Sequence, residues 1–470
     1  MPKSRPLILL ALATIASQTQ AASFVPYLKK HSHQLAHQFN PQYGIIIANE
    51  NGHINYAKNK DHYFASASIL KLFTASAAIV KLGPSFRYKT TLSSNASPQS
   101  HTLNGNLYLT FSGDPSLTST DLRTLFATLK QQGIDTINGS LYFDDSAFDH
   151  VQYAPGITVD DLAYSYASPV NAITVDENAF DITLSPSTVN QPPRIETTDL
   201  NPSITLINHI KTTPRRVKHC PLTINSDNQN HYWLSGCISL AGGPKKQSLA
   251  VRNTLEAMQY ALPAILNDTG ITLNGHMQTG ITPHSTHTLC THVSAPLNRL
   301  VIKMLKQSDN LISNALVKTV SHHQSHQAGN FAEGLRIIQT TLTKLSSINF
   351  DKTHISDGAG LSRYNLITPN QVLRLLVAIK RTPTLKRYIL PALPIAGKDG
   401  TLEDRMKILG KRQRLRAKTG TLSGVSNIAG YLNSKHHGRK IVIMLINQFP
   451  NKVNTMRKWT DTVLTHLALY

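Results

Sequence analysis

The chain has 470 residues, 40% of them hydrophobic and 16% charged; this is enough apolar material for packed cores, and the length fits about two to four domains, which excludes a disordered or fibrous chain. Lysine and arginine number 47 against 26 aspartate and glutamate, a formal charge of +21. Such an excess would suit nucleic acid, but no aromatic-basic RNA motif or groove-reading helix is present and the chain starts with an export signal, so an anionic partner outside the cytoplasm, such as a cell-wall polymer or an acidic membrane surface, is the expectation.

Residues 1–21 read as a signal peptide: Lys3 and Arg5, the apolar run Leu7 to Ala16, then Thr19-Gln20-Ala21 with a cut after Ala21. The run is about half the length of a membrane span. An exported, periplasmic protein with at most peripheral membrane contact is the expectation. Pro26 to Phe39 has helical spacing, and Tyr43–Ala48 and His53–Ala57 flank Asn51-Gly52, a hairpin signal.

Ser68-Ile69-Leu70-Lys71 then runs into the apolar Ala75, Ala77, Ala78, Ile79 and Val80. It reads as the first turns of a buried helix, where positions i and i+3 share a face and the hydroxyl meets the amine. Unpaired N–H groups at a helix start suit a serine that becomes an alkoxide, so Ser68 is the candidate nucleophile and Lys71 the candidate base.

From Pro84 the texture changes to strands (Tyr88–Leu92, Gly105–Phe111, Gly139–Phe143) with the helical Thr120–Gln132, an α/β insert over 86–287. A helix followed by Gly133-Ile134-Asp135-Thr136-Ile137-Asn138-Gly139 recurs as Leu255–Leu266 followed by Gly270-Ile271-Thr272-Leu273-Asn274-Gly275. Two nested subdomains are therefore expected, with Leu184–Lys246 as short strands and long loops. Cys220 and Cys237 flank a strand-rich stretch and could pair, leaving Cys290 free; none has thiol-catalysis or zinc spacing.

Leu297, Leu300, Val301, Met304 and Leu305 form one helical stripe and Leu311–Val320 another, with Ser308-Asp309-Asn310 between them. A turn-rich loop at 356–363, a helix over Leu373–Ile379, strands Arg416–Leu422, Ile428–Leu432 and Ile441–Ile446, and a helix Val453–Leu467 complete the chain. Helices around antiparallel strands give one split domain, 22–85 and 288–470. His33/His37 and His322/His326 have i, i+4 spacing but no third ligand, so no metal and no cofactor is expected. The basic run Lys407, Lys411, Arg412, Arg414, Arg416 is either a solvated face or a steering patch.

Ser68-x-x-Lys71, Ser308-Asp309-Asn310 and Lys418-Thr419-Gly420 form the set, in order, recognised in penicillin-binding proteins and class A β-lactamases. Charge and reach give the roles. Ser68 attacks a carbonyl, and Lys71, held neutral by burial and by the second cation Lys418, takes its proton. Ser308 passes that proton to the leaving nitrogen, and Asn310 holds Lys71 and the substrate amide. Lys418 and Thr419 bind a terminal carboxylate, Gly420 lets substrate backbone approach, and the N–H groups of Ser68 and Thr421 form the oxyanion hole.

These residues, with Ser112-Gly113-Asp114-Pro115, Asp357-Gly358-Ala359-Gly360-Leu361-Ser362-Arg363 and Leu393-Pro394-Ile395-Ala396-Gly397-Lys398-Asp399-Gly400-Thr401-Leu402, make the chain resemble the class C low-molecular-mass penicillin-binding proteins, serine D-Ala-D-Ala carboxypeptidases/endopeptidases. The resemblance implies an α/β (α+β) penicillin-binding/β-lactamase-like transpeptidase fold, an antiparallel sheet flanked by helices plus a helical subdomain, carrying a large α/β insert. It implies removal of terminal D-Ala from peptidoglycan stem peptides, or cleavage of D-Ala-diaminopimelate cross-links, through an acyl-enzyme on Ser68, with muropeptides as substrates and β-lactams as covalent inhibitors. It also implies a pocket for the diaminopimelyl end shaped by Asp144, Phe148 and Arg363. Ala359, where serine is common, and Lys398 depart from the family pattern. The alternatives are a β-lactamase, for which no glutamate-bearing deacylation loop is visible, and a non-catalytic cell-wall binding protein, suggested by charge and insert alone.

Overall fold

The computed structural model describes residues 24–197, 200–450 and 453–470; the signal-peptide segment lies outside them. The chain opens with α1 (Phe24–Phe39), the hairpin β1 (Gln42–Asn49) and β2 (Ile54–Lys58), and α2 (Lys71–Leu82). After residue 294 it continues with α3 (Leu297–Gln307), α4 (Asn310–Ser325), α5 (Phe331–Ser346), α6 (Pro369–Arg381), β3 (Leu415–Leu422), β4 (Val425–Ser434), β5 (Gly438–Asn447) and α7 (Val453–Leu469).

One antiparallel sheet joins the two stretches in the order β2-β1-β5-β4-β3. β1 pairs along its length with β5, Gln42 opposite Asn447 and Asn49 opposite Lys440. Period-2 alternation buries both faces. Ile45, Ile47, Val442, Met444 and Ile446 meet α1 and α7 through Leu28, Leu35, Val463 and Leu464, whereas Ile46, Ala48, Ile443 and Leu445 join the core of α2, α4, α5 and α6. Every residue of α2 from Lys71 to Ile79 is buried, which explains why its sequence is apolar on all sides.

The insert has a five-stranded sheet whose members include Lys89–Ser94, Leu107–Thr110 and Leu141–Asp144, with His287–Val293 at one edge. That edge strand pairs with Lys89–Ser94, so the insert's sheet extends past the 287/288 border expected from the sequence. Beside it, three Asn-Gly pairs stack. Asn274 donates to Asn138 (2.8 Å) and Asn138 to Asn104 (2.7 Å), while a Cβ on Gly275 would meet Gly139 O at 2.3 Å and one on Gly139 would meet Gly105 O at 2.2 Å. Only glycine lets these turns nest. The two similar units read from the sequence are thus neighbours, with a third copy of strand and turn in Thr102-Leu103-Asn104-Gly105, whose strand also pairs in parallel with Thr136-Ile137.

A second pair of sheets uses residues 179–250 around its own core of Ile182, Leu184, Tyr232 and Leu234. Its strands Thr205–Thr213 and His231–Ser239 run nine residues each and pair in parallel, longer than expected because their outer faces are polar and blunt the apolar alternation. Cys220 and Cys237 are disulfide-bonded and Cys290 is a buried free thiol. Among the described residues no helix is long and apolar enough to cross a membrane.

Candidate active site

Three walls converge on Ser68. It lies in a single 3-10 turn, Ala67–Leu70, that feeds into α2, rather than in the α-helix itself. The turn is held from outside: Asn427 Nδ2 donates to Ala65 O (2.9 Å) and Ser66 O (3.0 Å), and Ala65 N–H donates to Asn447 Oδ1 (2.7 Å). Gly360 (φ +81) and Gly420 press on it closely, since a Cβ would sit 1.9 Å from Ala67 O at Gly360 and 3.1 Å from Ser68 N at Gly420. The missing side chain at Gly420 thus lets the serine turn pack closely against the strand.

The second wall is the break between α3 and α4. Ser308 adopts a left-handed conformation (φ +64) that ends α3, Asp309 caps α4 by accepting from Ile312 N–H (2.9 Å), and Asn310 is the first residue of α4. The third is β3, the edge strand of the sheet, which carries Lys418 to Thr421.

Lys71 Nζ, wholly buried, bonds to Ser68 Oγ (2.9 Å), Asn310 Oδ1 (2.6 Å) and Ala359 O (2.7 Å). The last two partners can only accept. A neutral amine has two N–H groups and one lone pair, so its N–H groups go to those acceptors and the lone pair faces the Ser68 hydroxyl. Burial brings the Lys71 amine down to about 7, with Asp357 and Asp309 pulling it upward. Burial, and after it the charge of Lys71, push the Lys418 amine well below the usual lysine range. Lys418 Nζ donates to Ser308 Oγ (2.8 Å) and Thr419 O (2.9 Å) and is fully buried. It supports Ser308 from below. The Thr419 hydroxyl bonds to Thr401 (2.7 Å).

The cleft above Ser68 has a volume of about 340 Å³ and is lined by Ser308, Asn310, Arg363, Thr421 and, from the insert, Asp161 and Tyr166. Tyr166 OH donates to Asp161 (2.9 Å), Asn310 Nδ2 donates to Tyr166 O (2.6 Å), and Arg363 donates to Ser423 O (3.1 Å). Asp144 and Phe148 do not reach this cleft. Asp144 is buried at the end of its strand, accepting from Ser146 N–H (3.0 Å) and Thr282 N–H (2.8 Å), and the Phe148 ring packs over Gly113 and faces Lys318 of α4.

Sequence reasoning also missed two supports of the site. Asp357, fully buried, accepts from the N–H groups of Ala359 (3.1 Å), Gly360 (2.6 Å), Leu361 (2.9 Å) and Ser362 (2.7 Å), which shapes the loop that offers Ala359 O to Lys71. Arg457 of α7 donates to the Thr421 hydroxyl (3.0 Å). None of the basic run Lys407–Arg416 lines the cleft; Arg414 is buried and donates to Asn433 O (3.1 Å). A larger cavity of about 450 Å³ lies in the insert beside Leu122, Phe180 and Met258, with no lysine or histidine in its wall.

The model of the D-Ala-D-Ala carboxypeptidase 3 (S13) family matches residues 28–466. The chain is 32% identical to the D-alanyl-D-alanine carboxypeptidase DacB of Haemophilus influenzae, over 86% of this chain and 83% of that protein. It is 26% identical to a D-alanyl-D-alanine carboxypeptidase of Actinomadura sp., over 83% and 74%. The crystal structure of penicillin binding protein 4 (dacB) from Haemophilus influenzae superposes with a TM-score of 0.85 at 30% identity, covering 93% of this chain and 99% of that one. The same protein complexed with a β-lactam gives 0.80 at 29% identity, with the same coverage. The fold is the penicillin-binding/β-lactamase-like one, and the chain belongs to the D-Ala-D-Ala carboxypeptidase 3 (S13) family of serine hydrolases.

Proposed function

We propose that this D-Ala-D-Ala carboxypeptidase acts on peptidoglycan stem peptides through an acyl-enzyme on Ser68. The observation that carries the reading is the Lys71 amine, poised near neutrality with its lone pair left for the Ser68 hydroxyl. Lys71 takes the Ser68 proton as Oγ attacks the carbonyl of the penultimate D-Ala, and the N–H groups of Ser68 and Thr421 receive the oxyanion. Ser308, supported by Lys418, passes the proton taken up by Lys71 on to the departing amine, which releases D-Ala and restores the neutral Lys71 amine. Water then hydrolyses the ester.

The open edge of β3 gives the peptide a strand to pair with. Asp161 and Arg363, a carboxylate and a guanidinium in the same cleft, complement the ammonium and carboxylate of a diaminopimelyl end. A cleft that takes that end on the acyl-donor strand, or on the leaving strand of a D-Ala-diaminopimelate cross-link, supports both carboxypeptidase and endopeptidase action. In this reading residues 22–85 and 288–470 form the split peptidase domain, 86–287 are mainly a two-part insert, and the protein works in the periplasm after a cut behind Ala21, which removes Lys3 and Arg5 and leaves a formal charge of 21 − 2 = +19 to draw it to an anionic wall.

A fluorescent penicillin should label the wild-type protein covalently, and Ser68→Ala should lose both the label and release of D-Ala from a pentapeptide. Labelling that persists in the alanine variant sinks the nucleophile assignment.

A further inference from the structure

The insert reaches the cleft through one excursion of chain, residues 149–170, and a buried cation gathers the base of that excursion. Lys318 of α4 is wholly buried. Its Nζ donates to the carbonyl oxygens of Asp149 (3.2 Å), Val151 (2.8 Å) and Val170 (3.0 Å) and lies 2.7 Å from the Asp149 carboxylate. The rings of Phe148 and Phe331 stand 5.6 and 5.1 Å from it. Val170 N–H also donates to Gln152 O (3.0 Å), so the two ends of the excursion are closed on each other.

Between those ends the chain passes Gly156, whose carbonyl accepts from Arg363 N–H (3.0 Å), and then supplies Asp161 and Tyr166 to the cleft wall. Its far side is fixed by the bond from Asn310 Nδ2 to Tyr166 O. Lys318 and Asn310 stand eight residues apart on α4, about 12 Å along one rigid helix. The same helix therefore holds the excursion at its base and at its tip. An ammonium has three donors and no acceptor, and here they serve three main-chain oxygens and the Asp149 carboxylate of the insert. A neutral residue of equal bulk would fill the space but leave three carbonyls without a donor.

We propose that Lys318 is a positioning residue for substrate recognition: by gathering three carbonyls at the base of the 149–170 excursion it sets where Asp161 and Tyr166 stand in the cleft, and so which stem peptides are accepted. The proposal rests on the reading above that Asp161 and Arg363 receive the zwitterionic end of the stem peptide. A purely structural lysine would instead scale every activity by the same factor.

The test compares wild type with Lys318→Met in two reactions: acylation by benzylpenicillin, and turnover of a diaminopimelyl pentapeptide with its side-chain amine either free or acetylated. Wild type should prefer the free peptide. In the methionine variant, penicillin acylation and kcat should stay within about threefold of wild type, KM for the free peptide should rise about tenfold, and the preference should fall to near one. A preference that survives Lys318→Met, or a penicillin rate that falls by the same factor as peptide turnover, overturns the role of Lys318. Wild type without any preference overturns the recognition reading, and the proposal falls with it. Should Lys318→Met fail to fold, Phe331→Leu, which removes one ring from the ammonium and keeps its oxygen partners, decides by the same comparison, with an expected loss of preference of about two- to threefold.

Discussion

Replacing Lys71 with methionine should abolish acylation and yet make the protein more stable in mildly acidic solution. Burial lowers the amine from the ordinary 10.5 to about 7, against the upward pull of Asp357 and Asp309. At 1.36 kcal/mol per unit, holding the charged form in the interior costs about 5 kcal/mol below pH 7, where folded and unfolded chains are both protonated. Between about 7 and 10.5 the unfolded chain binds the extra proton, so stability rises with pH through that window and about 3 kcal/mol of the cost is recovered by pH 9.5. Methionine removes the cost but leaves Asn310 Oδ1 and Ala359 O without their lysine donor, a loss of about 2–4 kcal/mol. The expected balance is a gain of about 1–3 kcal/mol at pH 6 that turns into a loss at pH 9.5. Urea denaturation at the two pH values measures it. A difference that does not change with pH, or one that changes in the opposite sense, refutes burial as the origin of the lysine's low proton affinity.

Because only neutral Lys71 accepts the serine proton, penicillin acylation should rise about tenfold per pH unit up to about 7 and level off above it; a flat profile between pH 5 and 8 in quenched-flow labelling contradicts the assignment. Gly420→Ala puts a methyl 3.0 Å from Ala67 Cβ and 3.1 Å from Ser68 N, so the serine turn has to shift by a few tenths of an ångström and acylation should slow by about tenfold or more. An unchanged rate would mean that the strand yields and the serine stays. Cys220→Ser with Cys237→Ser opens a link spanning 17 residues and should cost about 3 kcal/mol. The loss should appear in the unfolding transition followed by the fluorescence of Trp233, which lies in the same sheet, with acylation unaffected.

The catalytic set was legible because its chemistry demands residue types at fixed local spacings: a serine one turn before a lysine, an asparagine at a helix start, a lysine on a strand. The fold around it was legible where one face of an element is apolar and the other is not. What stayed hidden depends on long-range placement. Asp161 and Tyr166 sit in a stretch with no periodicity and gain meaning only when Asn310, 144 positions away, bonds to Tyr166 O. Asp144 is placed at the pocket by the family resemblance alone, and here neighbouring N–H groups bond to its oxygens. Lys318 reads in the sequence as a polar interruption of an apolar helix, and no local pattern distinguishes a buried ammonium with three carbonyl partners from an exposed one. The Thr102–Gly105 copy escaped notice because it keeps the strand and turn but has no helix before them.

The sheet that carries Lys418 is completed by β1 pairing with β5, and the serine turn is fastened by Asn427 and by Asn447, the latter 382 residues beyond Ala65. No shorter stretch of the chain contains the whole site. Such distant closures come late in folding, since their loop entropy has to be met before the contacts return it. The serine and its base lie within four residues of each other, but they acquire their surroundings only when the last strands arrive. A chain that stops before β5 lacks Asn447 and the partner strand of β1, and so cannot fasten the serine turn in this way.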